Sequence, residues 1–211
     1  MRRSFLMAIA FSALMGASAL ACDGQVGKVI YEDTFADDSG GWDLSPPATA
    51  IKPPNFVITL DSKSSAISSQ VLTFRANEAD YCLEGTVPKA PAPDNNMSLG
   101  LEFWATDYRN FWLSELGSNG TISLWTDVNG NWTNIATVPN AQGFKPDAAN
   151  ALRVTTLGGK IVISLNGQLV KTIRAQIPDG ALRFGIYGQL DKAVDGASPI
   201  LVTSYKVTSG Q

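Results

Sequence analysis

No histidine occurs anywhere in the 211 residues. That excludes a Ser-His-Asp or Cys-His nucleophile, an HExxH zinc site and a haem held by a proximal histidine. Charge is sparse, at 17% of residues, and neither sign dominates: 16 Lys and Arg stand against 19 Asp and Glu, net −3. A general nucleic-acid binder needs a basic face to displace counterions from phosphates, so nucleic acid is excluded as a partner class. No G-x-G-x-x-G leads from a strand into a helix, which removes the dinucleotide-binding fingerprint. Past residue 21 no apolar run reaches the roughly 20 residues that a membrane-spanning helix requires.

What is present begins with a leader. Arg2 and Arg3 form a positive start, residues 5–14 are an apolar run, and Ala19-Leu20-Ala21 places small residues where a signal peptidase cuts. The pattern predicts a signal peptide over 1–21 and one exported domain over 22–211, periplasmic or secreted. Without the two leader arginines the mature chain carries 14 basic against 19 acidic residues, net −5. Cys22 directly follows the cut. The large apolar residue of a lipobox is missing three positions earlier, where Ala19 stands, so a lipoprotein anchored at Cys22 is the alternative. Cys22 and Cys82 are the two cysteines of the chain, and an even count in an oxidising compartment reads as one disulfide. Closing that loop contributes roughly 4 kcal/mol in the loop-entropy model.

The remainder reads as β structure. Short alternating runs recur between Asn-Gly, Gly-Gly, Pro-Asp and Asp-Gly signals, which argues for a sandwich or barrel. Strands are predicted near 28–35, 55–60, 71–74, 80–87, 97–105, 111–117, 121–126, 132–138, 151–157, 160–165, 168–173, 182–187 and 201–208. That is too many for one flat sheet, so two packed sheets are expected. The proline-rich stretch 45–54 is expected to be a surface loop.

The middle of the chain allows a register to be inferred. Asn129-Gly130 is a two-residue hairpin signal that sets Asp127 opposite Trp132 and Trp125 opposite Asn134. The turn at 118–120 sets Leu116 opposite Ile122 and Leu113 opposite Trp125. A four-residue loop over 106–109 would set Trp104 opposite Phe111 and Glu102 opposite Leu113. Leu99, Leu101, Phe103, Trp112, Ser114, Leu116, Ile122 and Leu124 then share a core face. The opposite face carries Glu102, Trp104, Phe111, Leu113, Glu115, Ser123, Trp125, Asp127, Trp132 and Asn134. An outer face of an antiparallel sheet should be polar, and this one holds several large aromatics beside three carboxylates.

The run Gly100-Leu-Glu-Phe-Trp-Ala-Thr-Asp-Tyr-Arg-Asn-Phe-Trp, followed by Gly120-Thr-Ile-Ser-Leu and Gly130-Asn-Trp132, resembles the concanavalin A-like (laminin G-like) jelly rolls. So do Asn150-Ala-Leu-Arg-Val, the hairpin from Ile161 through Asn166-Gly167, and the opening Asp33-Thr-Phe-Ala-Asp-Asp-Ser-Gly-Gly-Trp42. The resemblance covers most of 28–209. It implies an all-β, two-sheet antiparallel jelly-roll sandwich. Its members include carbohydrate-binding modules, adhesion modules and glucanases. The E-x-D-x-x-E strand of the laminarinase-type glucanases is missing here: Glu102 is followed by Phe103 and Trp104, and Glu115 by Leu116 and Gly117.

Three constellations could carry chemistry. The aromatic face of Trp104, Phe111, Trp125 and Trp132, with Glu102, Asp127 and Asn134 as hydrogen-bonding groups, suits the apolar faces of sugar rings. A loop over 45–54 or 90–95 lying across it would make it a buried cluster instead. Glu102 and Glu115 lie diagonally on that face, ~7–8 Å apart, inside the range of an inverting glycosidase; as solvated surface glutamates they would do nothing. Asp33, Asp37 and Asp38 in the first loop and Asp191 and Asp195 before the last strand could gather around Ca²⁺ if those loops meet; ordinary turn aspartates are the plain alternative. No other cofactor is indicated. The leading reading is a secreted, non-catalytic module that binds glycan or another cell-envelope ligand. A hydrolase using Glu102 and Glu115, and an envelope protein-interaction or structural subunit, are the alternatives.

Overall fold

A computed structural model describes residues 21–180 and 182–210. The expected signal peptide lies outside the described residues but for Ala21. No helix among the described residues is long and apolar enough to cross a membrane.

Among the described residues, alternating apolar residues and tight turns give fourteen strands and one short 3₁₀ turn, Ala21–Gly24. The strands are β1 Val29–Asp33, β2 Thr49–Lys52, β3 Asn55–Ile58, β4 Ala66–Gln70, β5 Ala79–Thr86, β6 Met97–Asp107 and β7 Asn110–Gly117. Then follow β8 Ile122–Val128, β9 Asn131–Val138, β10 Asn150–Leu157, β11 Lys160–Leu165, β12 Gln168–Arg174, β13 Arg183–Leu190 and β14 Ile200–Ser209. They form two antiparallel sheets, as the alternation requires. The larger runs β12-β11-β10-β5-β14-β3-β2, with β1 also pairing β14; the smaller runs β4-β13-β6-β7-β8-β9. This is the open jelly-roll sandwich expected from the sequence.

Two expected features differ. The segment 71–74 makes no strand; Val71 forms an isolated bridge with Trp42. The proline-rich stretch contains β2, paired with β3 from Thr49↔Ile58 to Lys52↔Asn55. Pro53 and Pro54 fall in the turn between them, and β2 ends its sheet, so no ladder needs the missing N–H.

The two sheets bury one continuous core. It contains the predicted inward residues Leu99, Leu101, Phe103, Leu116, Ile122 and Leu124, with Trp112 packed against it. Aromatic rings from both layers interlock there: Phe184 stacks on Tyr205 at 5.7 Å, and Trp42 meets Tyr205 edge-on at 5.3 Å. Asp33 anchors the first loop. Its carboxylate accepts from Phe35 N at 2.7 Å, Trp42 Nε1 at 2.8 Å and Tyr31 Oη at 3.2 Å.

The expected disulfide is formed. Cys22 and Cys82 have Cα atoms 5.6 Å apart and lie 60 residues apart in sequence. Arg153 clamps the carboxylate of Asp80 with two nitrogens, one at 2.7 Å, and its Nη1 reaches Gly24 O at 3.4 Å. Gln25 donates to Asp80 O at 2.5 Å. The N-terminal turn is thereby fastened to β5 and β10 on the large sheet.

Candidate functional site

The outer face of the smaller sheet is laid out in cross-strand rows. Ser68, Tyr187, Gly100, Glu115 and Ser123 stand side by side on five neighbouring strands. The next row is Gln70, Gly185, Glu102, Leu113, Trp125 and Asn134. Beyond it, Phe111, Asp127 and Trp132 align. The inferred register is therefore the observed one from Glu102↔Leu113 through Trp125↔Asn134 and Asp127↔Trp132.

Two glycines make the face concave. A Cβ on Gly100 would come within 2.4 Å of Leu113 Cδ1 and 3.1 Å of Tyr187 Cβ, so those side chains close over the gap. Gln70 crosses Gly185 to donate to Glu102 Oε2 at 3.1 Å. Phe111, Leu113, Tyr187 and Ala105 form a small apolar floor with Trp125 packed on it. Trp132 stands up from that floor, edge-on to Phe111 at 5.4 Å and 5.8 Å from Tyr187; it is 43% exposed. Neither expected covering loop hides it. The result is a groove of about 410 Å³ lined by Trp125, Trp132, Tyr187, Glu115, Gln189 and Asp191. A second hollow of about 260 Å³ lies on the other side of β7 and β8, lined by Trp104, Trp112 and Thr126, with Phe111 and Asp127 at its margin.

The carboxyl groups differ in their surroundings. Glu115 accepts from Trp125 Nε1 at 2.7 Å and lines the groove. Burial pushes its pKa up to about 7, with the charge of Asp191 adding to the rise. Asp191 is itself raised by burial. Glu102 is 0% exposed, sealed beneath Gln70, and burial pushes its pKa up to about 7 as well. The two glutamates share a face, as expected, but Glu102 lines neither hollow. Tyr108, at the β6–β7 tip, donates to Asp43 Oδ2 at 2.5 Å and helps close that end.

Three expectations need correcting. Trp104 is not on this face. It adopts φ +52°, is 1% exposed in the main core, and donates from Nε1 to Asn77 O at 2.6 Å. The cause is a bulge: β6 and β7 pair as Phe103↔Trp112 and then as Asp107↔Asn110, so the tip is a two-residue turn. Ala105 takes the outward place instead. The five aspartates do not gather. Asp33 is saturated by its three donors, Asp37 accepts from Ser39 N and Asp195 from Ser62 N. Among the described residues no three His, Cys, Asp or Glu come together to hold a metal ion. Phe111 is part of the floor, and Asn134 is exposed, bonded to Thr137 at 3.3 Å.

Tyr187, Gln189 and Gln70 were not foreseen as site residues. Alternation in β13 puts Tyr187 and Gln189 on one side with Gly185. That β13 sits between β4 and β6 is a non-sequential pairing, and no local signal announces it.

No protein-family model matches the sequence, and no curated protein matches it. Solved structures do match the fold. The carbohydrate-binding module CBM66 from Bacillus subtilis superposes with a TM-score of 0.63 at 14% identity, covering 80% of this chain and 96% of that one. A β-glucanase from Bacillus licheniformis gives 0.62 at 13%, covering 87% and 99%. The laminarinase catalytic domain from Thermotoga maritima gives 0.64 at 9%, covering 89% and 100%. At these identities the likeness is one of fold, and the chain has the concanavalin A-like jelly-roll fold.

Proposed function

We propose that this protein is an exported glycan-binding module whose ligand lies along the groove of Trp125, Trp132 and Tyr187. The observation that carries the reading is Trp132, a large ring left 43% exposed over a concave aromatic floor. A ring in that position offers an apolar face to a sugar, and Glu115, Gln189 and Asp191 around it offer hydrogen-bond partners for hydroxyls. The disulfide supports export, since such bonds persist in oxidising compartments. The similar solved structures named for carbohydrate binding or glucan cleavage support a glycan as the ligand class. The burial of Glu102 favours binding over hydrolysis, because a two-carboxyl mechanism needs both groups at the scissile bond.

A glycan array on the purified protein tests this, paired with titration of tryptophan fluorescence. Saturable quenching by a bound glycan, lost in Trp132→Ala, is the expected result. Absence of binding across a broad array refutes it. Turnover of a bound glycan that vanishes in Glu115→Gln would instead establish the hydrolase reading.

A further inference from the structure

Among the described residues five strands end the two sheets, and four of them are shielded against pairing with another chain. β12 carries exposed Lys171 and Arg174, with Lys160 opposite Arg174. β2 is four residues long and closes on Pro53 and Pro54. β1 is five residues long, is bulged between Val29 and Tyr31, and bears Glu32 and Asp33. β4 is covered from outside: Asp43 N donates to Gln70 O at 3.0 Å, and Ser69 Oγ donates to Asp43 O at 2.7 Å. Charge, shortness, bulges and cover are the ordinary protections of a sheet edge.

β9 is the exception. It pairs with β8 on one side and with no strand on the other. Its eight residues, Asn-Trp-Thr-Asn-Ile-Ala-Thr-Val, include no charge, no proline and no glycine. Trp, Thr, Ile and Val favour extended backbone. Residues 131–135 are exposed, and Trp132 and Ile135 are large apolar side chains left at the surface, as is Val128, paired with Asn131 on β8. One bulge falls at Ile135, where the register with β8 shifts, so 131–134 keep a regular ladder ahead of it. Such an edge is a template for another strand.

The lack of charge says which strand. A two-fold axis sets identical strands antiparallel and brings each side chain near its own copy. Like charges so placed are destabilising, which bars β12 from pairing with itself and leaves β9 free to do so. A charged partner would find no complementary group on this strand.

We propose that β9 pairs with β9 of a second copy, joining two small sheets into one across a two-fold axis. An axis perpendicular to the sheet keeps both outer faces on one side, so the two aromatic grooves open in the same direction. Pairing within 131–134 sets each Trp132 about 5 Å from its counterpart if directly opposed, or about 7–8 Å if diagonal. Trp132 lines the groove, so each copy adds its ring to the rim of the other's groove. The pairing stands whatever the groove binds. Eight residues a side fall well short of the roughly 20–30 of a standard interface, so the dimer is weak and forms at high protein concentration.

Small-angle X-ray scattering of the purified protein, over a concentration series into the millimolar range, reads the mean mass. A reversible rise from monomer toward twice that mass is expected. Thr133 is exposed and outside the groove lining, so it carries the charge test. Thr133→Lys alone and Thr133→Glu alone should each stay monomeric, because like charges meet across the axis. Mixed in equal amounts, the two should associate about ten-fold more tightly than either alone. Thermal melts matching the parent's report that both variants are folded. A protein that stays monomeric throughout the series overturns the inference. So does a dimer that survives in both single variants, or one that the mixture fails to restore.

Discussion

Glu102 and Glu115 should make this protein less stable as the pH rises from 5 to 8. Glu102 has its pKa raised by burial from the ordinary 4.5 to about 7. In the unfolded chain it ionises near the ordinary value, so between these limits the unfolded state binds fewer protons than the folded one. Stability then falls with rising pH. The favourable contribution is fully present below about pH 4.5 and gone above about pH 7. A shift of that size corresponds to about 3 kcal/mol for Glu102. Glu115 is raised to about 7 as well and acts in the same direction. Against a total of about 5–15 kcal/mol for an ordinary domain this is a large fraction. Asp37, Asp94, Asp107 and Asp195 are held below the usual carboxylate range by their hydrogen bonds, so their contribution disappears only as the pH drops below about 3.8. The two windows do not overlap. Urea unfolding followed by tryptophan fluorescence at pH 5, 6, 7 and 8 should show a falling midpoint. Glu102→Gln, which cannot ionise, should remove about 3 kcal/mol of that decline. A stability that is flat or rising from pH 5 to 8, or a variant that declines as steeply as the parent, would refute the reasoning.

Three other expectations concern stability. Cys22→Ala with Cys82→Ala, or reduction, should lower the unfolding free energy by about 4 kcal/mol, the loop-closure value for a 60-residue separation, as read by urea midpoint in parallel samples. Trp104→Ala should cost about 3–5 kcal/mol, since it empties a core site, whereas Trp132→Ala should cost far less and act on ligand binding; equal losses in the two would mean the bulge is misread. Gly185→Ala should destabilise by about 1–3 kcal/mol, because the new Cβ would stand 2.6 Å from the backbone oxygen of Ser69 and the β13–β4 pairing would have to yield; a thermal melt within a degree or so of the parent would contradict that packing.

Where a turn residue dictates geometry, the sequence was readable to the residue. Asn129 and Gly130 adopt φ +57° and +82°, as a two-residue hairpin demands, and the β8–β9 register follows. The serine-rich β4, Ala66–Gln70, went unread because it has no apolar alternation; it is an edge strand whose burial comes from β13. The tip between β6 and β7 was misread although a signal existed. Asp107 Oδ1 accepts from Arg109 N at 2.7 Å and from Asn110 Nδ2 at 2.9 Å, the local hydrogen bonding of an aspartate that opens a tight turn. Asp-x-x-Asn thus marks a shorter turn than the four-residue loop expected. Tyr187 was out of reach for another reason: its place depends on which strands become neighbours across a gap of some eighty residues, and that is settled by the whole sandwich.

The bulge at Trp104 links fold to site. A left-handed backbone at a tryptophan costs on the order of 1–2 kcal/mol, and nothing local favours it, since such bulges are ordinarily marked by glycine. The compensation is tertiary. The ring enters the core against Phe103 at 5.5 Å and Trp112 at 5.7 Å, and its N–H finds Asn77 O. The effect on the outer face is the opposite of what a regular strand would give. A regular β6 would project the large Trp104 ring outward, opposite Phe111. The bulge sends out Ala105 in its place, and the small side chain leaves Phe111 and Tyr187 free to pack over it. One strained residue in the core thereby lowers the floor of the groove, so the proposed ligand contacts depend on a backbone feature that a face-by-face reading of the sequence erases.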